Sequence, residues 1–230
     1  MGTDIQASIN RIKQRIADAC IRAGRNPDSV KLMAVTKTVP VEHILQAVDA
    51  GITLLGENYV QEAREKHELL SSRAQIHLIG HLQTNKAKYA VRLFDCIHSV
   101  DRLELARELD RRAKAADRKM DILIEVNVSG EQTKNGISAA EALELIRSIA
   151  GMENLSIRGL MTMAPYSDNP ETSRPYFQAL KKLSNDIARA KIPGVQMEEL
   201  SMGMTDDFEV AIEEGATIVR IGRAIFGERI

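Results

Sequence analysis

The sequence predicts an α/β fold, a single-domain (β/α)8 barrel of the TIM type with an extra N-terminal helix, on three observations. Eight short apolar runs recur along the 230 residues. Segments of helical period separate them, and no Pro/Gly/Ser-rich stretch or long like-charge block divides the chain, so residues 1–230 read as one domain. A doubly wound open sheet is the alternative. It would prefer fewer strands and a Gly-rich turn after the first one, and no G-x-G-x-x-G follows Lys37.

A leading helix over residues 4–23 keeps Ile5, Ile9, Ile12, Ile16 and Ala19 on one face. The first run, 30–37 (VKLMAVTK), alternates Lys31, Met33, Val35 and Lys37 against Leu32, Ala34 and Thr36. Gly51 is placed to end a helix before the second run, 52–57 (ITLLGE), and the third and fourth are 75–80 (QIHLIG) and 96–100 (CIHSV). Asp101 with Glu104 carries the spacing of a reciprocal N-terminal cap ahead of the fifth run, 121–127 (DILIEVN). Ser138 with Glu141 repeats that spacing before the sixth, 156–163 (SIRGLMTM). Asn169 before Pro170 marks a further helix start, followed by the seventh run, 195–201 (VQMEELS). Asp206 with Glu209 again fits a cap, ahead of the last run, 217–222 (TIVRIG).

Composition narrows the function classes. The chain holds 31 Lys plus Arg against 32 Asp plus Glu, and this balance leaves no basic field to gather nucleic acid or an anionic membrane. No apolar run approaches the ~20 residues of a membrane span, and the N-terminus lacks the apolar core of a signal peptide, so a cytoplasmic protein is expected. Cys20 and Cys96 form no C-x-x-C and are expected to be small core residues.

Barrel enzymes and binders place their working groups at the C-terminal ends of the strands. If Met33 and Val35 point inward, Lys37 is the last residue of its face, at the barrel mouth. A lysine there loses hydration, which favours the neutral amine and makes it a candidate Schiff-base former; the plainer reading is a lysine ending a strand with its head in water. The segments Leu200 to Asp207 (LSMGMTDD) and Arg220 to Gly227 (RIGRAIFG) each run from a strand into a helix start. Small residues let backbone amides approach an anion, and the loops after strands seven and eight are the usual phosphate site of this fold, although a glycine needed for packing explains each loop singly. Arg220, inside an apolar strand, needs a partner: Glu199 or Glu125 on neighbouring strands, or a ligand. His77, His81 and His98 lack an H-E-x-x-H and are expected as core or loop residues, with no metal site.

Five motifs, AVTKT (34–38), GENYVQE (56–62), HLIGHLQTNK (77–86), LSMGMTDD (200–207) and RIGRAIFG (220–227), occur with the order and spacing found in the pyridoxal phosphate homeostasis proteins, and the chain resembles that family along its whole length. The resemblance implies a fold type III barrel like the N-terminal domain of alanine racemase, with pyridoxal 5'-phosphate (PLP) held as a Schiff base. It also implies a part in vitamin B6 and amino-acid homeostasis, as carrier or regulator, without catalysis of its own. By that resemblance Lys37 corresponds to the lysine that bonds the cofactor. Ser201, Gly222 and Arg223 correspond to the phosphate cup, with Met202, Gly203 and Thr205 nearby. Arg220 corresponds to the arginine facing the pyridine nitrogen, and Asn58 and His81 to residues near the cofactor mouth. Arg223 departs from many relatives, which carry a small hydroxyl residue there. The rival is a PLP-dependent racemase-like enzyme. Racemisation needs two bases; the chain stops eight residues after Gly222, so the β domain that supplies the second base in alanine racemase is expected to be absent, leaving Tyr59, Tyr89, Tyr166 and Tyr176 as alternatives. A monomer is expected, with PLP-dependent apoenzymes as potential partners.

Overall fold

A computed structural model describes residues 4–131 and 134–227. Eight strands, all paired in parallel, close into a ring: β1 (Lys31–Val35), β2 (Leu54–Glu57), β3 (Gln75–Leu78), β4 (Cys96–Val100), β5 (Met120–Asn127), β7 (Leu155–Met161), β8 (Val195–Ser201) and β9 (Ile218–Ile221). Pairing of β1 with β9 and of β4 with β5 leaves no open edge in the ring. A two-residue strand, β6 (Ile137–Ser138), adds to the end of β5.

Helices α2 (Val41–Asp49), α3 (Val60–Leu70), α4 (Ala87–Leu93), α5 (Leu103–Ala115), α6 (Ala139–Ala150), α7 (Arg174–Arg189) and α8 (Phe208–Glu213) connect successive barrel strands. They cover the outward strand residues, among them Ala34, Leu55, Leu78, Ile97, Leu200 and Val219, in the main core. Alternation puts the other face inside the ring. There Met33, Leu54 and Ile218 form one small apolar cluster, and Cys96, Leu123 and Met161 another.

The leading helix forms as expected: α1 (Ile5–Arg22) buries Ile5, Ile9, Ile12, Ile16 and Ala19 and packs on α2, α8 and the short α9 (Arg223–Phe226). Asp4 caps it by accepting from the Ala7 amide. Of the expected caps, Ser138 does accept from the Glu141 amide and Asn169 from the Glu171 amide, while Gly51 takes φ +85° just past α2. The other two are corrected. Helix α5 starts after Arg102, and Asp101 pairs with Arg102 instead of capping; Asp206 is drawn away to Arg223, so α8 starts after Asp207 without a side-chain cap. Both carboxylates find a guanidinium, a stronger partner than an amide. Strands β1, β3, β7 and β9 stop short of their runs at the C-terminal end. β1 stops at Val35, so Lys37 lies in a turn beyond the strand, in which the Val39 amide bonds to the Thr36 carbonyl.

The loop after β3 comes so close to the loop after β2 that only glycine fits at position 80. A Cβ on Gly80 would lie 2.2 Å from the Asn58 carbonyl oxygen and 2.8 Å from the Asn58 Cα. Both are backbone atoms and cannot swing aside. Gly80→Ala is therefore expected to destabilise the fold by about 1–3 kcal/mol, read as a lowered midpoint in urea; an unchanged midpoint would mean that these two loops are not locked together.

Candidate functional site at the barrel mouth

Two strand ends and two loops enclose a cavity of ≈370 Å³ at the C-terminal end of the barrel, within the roughly 300–1,000 Å³ typical of small-molecule sites. Val35 and Lys37 line it from the end of β1, and Arg220, Gly222 and Arg223 from the end of β9. Met204, Thr205 and Asp206 contribute from the loop after β8, and Tyr166 from the loop after β7.

The turn that carries Lys37 is held from several sides. Thr38 takes φ +60°, a costly conformation for a β-branched residue, and its amide donates to Glu62 Oε1. Lys66 Nζ donates to the Thr36 carbonyl at 2.9 Å, and pairs with Glu62 at 2.6 Å and Glu57 at 3.1 Å. The Thr36 hydroxyl donates to Glu57 at 2.7 Å. Burial pushes the Glu57 carboxyl up, the hydroxyl and Lys66 opposing it.

The opposite wall is the start of α9, with Gly222 as N-cap. First-turn amides of a helix lack intrahelical acceptors, which suits this wall to an anion. The Arg223 guanidinium pairs with Asp206 at 2.7 Å across the loop, a half-exposed pair worth at most about 1 kcal/mol.

Arg220 forms part of the floor. The residue is 4% exposed, and its guanidinium donates from Nη1 to the Ser201 carbonyl and hydroxyl, at 2.7 and 2.8 Å, and from Nη2 to the Thr162 carbonyl at 2.8 Å. Burial lowers its pKa to about 10, still far above neutrality. Neither expected carboxylate bonds it. Glu199 is taken by Lys31 and by the Thr217 hydroxyl, and Glu125 acts on Arg220 only through its charge. The Glu125 carboxyl is pushed up to about 7, first by burial and then by the charge of Asp101, and its Oε2 has no partner among the described residues.

Five of the ten expected site residues thus line this cavity: Lys37, Thr205, Arg220, Gly222 and Arg223. Ser201 lies beneath it, fully buried, its hydroxyl committed to Arg220 and His98. The Met202 side chain, next in the alternation, packs outward into the main core, and its amide is spent on the Ile218 carbonyl. Gly203 serves the turn: it takes φ +91°, and a Cβ would stand 2.5 Å from that of Ala211. Asn58 and the exposed His81 sit on the adjoining loops after β2 and β3, outside this lining.

His77 and His98 project into the ring and bond to each other, Nδ1 to Nε2 at 2.9 Å. Burial holds both rings neutral, lowering His77 to about 4 and His98 well below its usual range. Cys96 brings a third donor within 4.8 Å. Burial pushes its thiol far up, which opposes the thiolate a metal would need. The sequence placed these histidines as core or loop residues and Glu125 on its strand, but gave neither the bond between the two imidazoles nor the unpaired Glu125 carboxyl; the signal available was their place on the inward face of β3, β4 and β5.

The family described as alanine racemase, N-terminal domain, matches residues 8–230. The chain is 47% identical over 222 residues to a pyridoxal phosphate homeostasis protein of Aquifex aeolicus, covering 96% of each. It is 38% identical over 231 residues to one of Escherichia coli, covering 98% of this chain and 97% of the other. PipY of Synechococcus elongatus, solved with PLP bound, is 35% identical with a TM-score of 0.81, over 94% of this chain and all of that one. An alanine racemase of Clostridium difficile, at 15% identity and a TM-score of 0.77, shares the fold; this chain spans 57% of its length.

The raised Glu125 pKa has a sign that can be checked. The unfolded chain releases this proton near ~4.3, whereas the folded chain keeps it up to about 7. The stabilisation is therefore complete below the unfolded value and lost as pH rises to about 7, at most about 4 kcal/mol. Glu125→Gln should make thermal unfolding less dependent on pH between about 4 and 7. Parallel pH profiles for the parent and variant would show that the carboxyl titrates normally.

Proposed function

The chain belongs to the family of pyridoxal phosphate homeostasis proteins, and on that premise we propose that it binds PLP in the mouth cavity, as a Schiff base on Lys37. In this reading it serves vitamin B6 and amino-acid homeostasis as a carrier or regulator and not as an enzyme. The observation that carries the proposal is the arrangement of three chemistries around one cavity: the Lys37 amine at the end of β1, the start of α9 opposite, and the Arg220 guanidinium in the floor.

These groups fit PLP part by part. When bound, it supplies an aldehyde, a pyridine ring and a phosphate dianion. The Lys37 amine can condense with the aldehyde, releasing water. The amides at the start of α9 and the nearby Arg223 suit the phosphate. Arg220 is a permanent cation and disfavours a proton on a ring nitrogen placed against it.

The racemase-like alternative has one observation in its favour, since Tyr166 of the four tyrosines lines the cavity. Its hydroxyl donates to Asp168 at 3.0 Å, and that carboxylate pushes it above the usual phenol range. A proton so held makes Tyr166 a poor base at neutral pH. The proposal keeps the monomer expected from the sequence, and the near balance of charge argues against nucleic acid as a partner. Among the described residues no helix is long and apolar enough to cross a membrane. Delivery to PLP-dependent apoenzymes is the carrier form of the proposal.

Borohydride reduction of the PLP-loaded protein followed by peptide mapping should place the adduct on Lys37, and Lys37→Ala should abolish the visible imine band while leaving the fold. An adduct on another lysine, with the band retained in Lys37→Ala, would sink the assignment. PLP should bind at least about a hundredfold more tightly than pyridoxal, because several charge-assisted bonds to the phosphate are worth about 1.5–3 kcal/mol each. Equal affinities would reduce the α9 wall to ordinary packing. Racemase, transaminase and decarboxylase turnover should lie far below the ~10 per second typical of enzymes; ordinary turnover lost in Tyr166→Phe would make this chain an enzyme.

A further inference from the structure

Beneath the cavity floor, four side chains inside the barrel form a continuous hydrogen-bond chain, and proton counting fixes its direction. Arg220 Nη1 lies 2.8 Å from Ser201 Oγ. A guanidinium only donates, so the Ser201 oxygen accepts here and keeps its own hydrogen for another acceptor. Its other side-chain partner is His98 Nδ1, at 3.1 Å. Ser201 therefore donates to Nδ1, which puts the His98 proton on Nε2. That N–H points to His77 Nδ1 at 2.9 Å, and His77 in turn carries its proton on Nε2. The reverse order would leave the buried Ser201 O–H with no acceptor among the described residues, and a doubly protonated ring would add a second cation beside the guanidinium.

We propose that His98 is a positioning residue for Arg220: through the Ser201 hydroxyl, its neutral Nε2–H tautomer holds the guanidinium in the orientation that faces the cavity, without cancelling its charge. The inference rests on the reading that Arg220 meets the ring nitrogen of bound PLP. It gives Ser201 a different part from the phosphate contact expected of it, as the link between the floor and the barrel interior. His77 closes the chain by accepting the His98 N–H, so that this buried donor is met inside the ring.

Two substitutions separate this role from simple packing. His98→Asn puts an amide oxygen near the place of Nδ1 and keeps an acceptor for Ser201, whereas His98→Leu fills the space and offers none. In the ligand-free protein, nitrogen NMR of the imidazoles should show the Nε2–H tautomer for both His77 and His98. A proton on His98 Nδ1 would overturn the direction of the chain whatever the cavity binds. In the PLP-loaded protein, His98→Leu should shift the visible absorption maximum and weaken PLP roughly tenfold, the cost of one bond to a charged group. The reducible adduct should remain on Lys37, and His98→Asn should stay close to the parent. An unchanged spectrum and affinity in a folded His98→Leu protein would overturn the proposal. Should that variant fail to fold, Ser201→Ala, which removes a single oxygen, is read by the same two measurements. A parent protein that takes up no PLP would sink the cofactor reading and leave the tautomers to decide the relay.

Discussion

Burying the Arg220 guanidinium among strand ends costs several kcal/mol unless its donors are met, and the way the barrel meets them organises the whole mouth. Its acceptors come from two neighbouring strand ends: the carbonyl and hydroxyl of Ser201, which ends β8, and the carbonyl of Thr162, just past β7. Those carbonyls are in reach because the strands end in register, the Thr162 amide bonding to the Ser201 carbonyl and the Arg220 amide to that of Gly203. The β1 pairing, Met33 opposite Arg220, then sets the Lys37 turn beside the floor. A cation needed at one end of the sheet thus constrains where four strands must stop.

The second constraint is backbone strain at the Lys37 turn. A threonine at φ +60° is costly, and it persists only where its surroundings over-determine it. Here the surroundings are Glu62 on the Thr38 amide, Lys66 on the Thr36 carbonyl and Glu57 on the Thr36 hydroxyl, with the charged side chains at most 20% exposed. Two carboxylates share one ammonium, and burial raises Glu57, so the cluster is held together by its hydrogen bonds more than by net charge. Its consequence is a lysine whose backbone has little freedom to turn away from the cavity.

The sequence showed the barrel clearly because a parallel ring has a strong period: each strand buries both faces, and the helices between bury one. The runs at 96–100 and 195–201 coincide with β4 and β8. Errors collected at the C-terminal ends, as at Lys37 and Gly222, where the chain leaves the ladder while its composition stays strand-like. Residues in the loops were legible as a group but not singly. Met202 and Thr205 belong to one motif, yet alternation turns Met202 into the core and the turn at Gly203 brings Thr205 back to the cavity. The partner of Arg220 was not legible either, because carbonyls at strand ends have no signature in the sequence, whereas Glu125 and Glu199 were visible and misleading.

Charge balance explains why the acceptors around Arg220 are carbonyls, a hydroxyl and neutral imidazoles. A carboxylate bonded to the guanidinium would satisfy its donors equally well and cancel the positive field at the floor. The barrel keeps its firm carboxylate, Glu199, bound to Lys31 and Thr217, away from the floor. Two carboxylates act on Arg220 through their charge alone, Asp207 first and then Glu125, and with its pKa pushed up to about 7 Glu125 spends much of its time protonated at neutral pH. No carboxylate is bonded to the guanidinium, so its charge is offset only from a distance, and in the proposed reading an unprotonated ring nitrogen is the state it favours. In the proposed reading, a floor of that kind disfavours a proton on the ring nitrogen of a bound PLP and so weakens it as an electron sink.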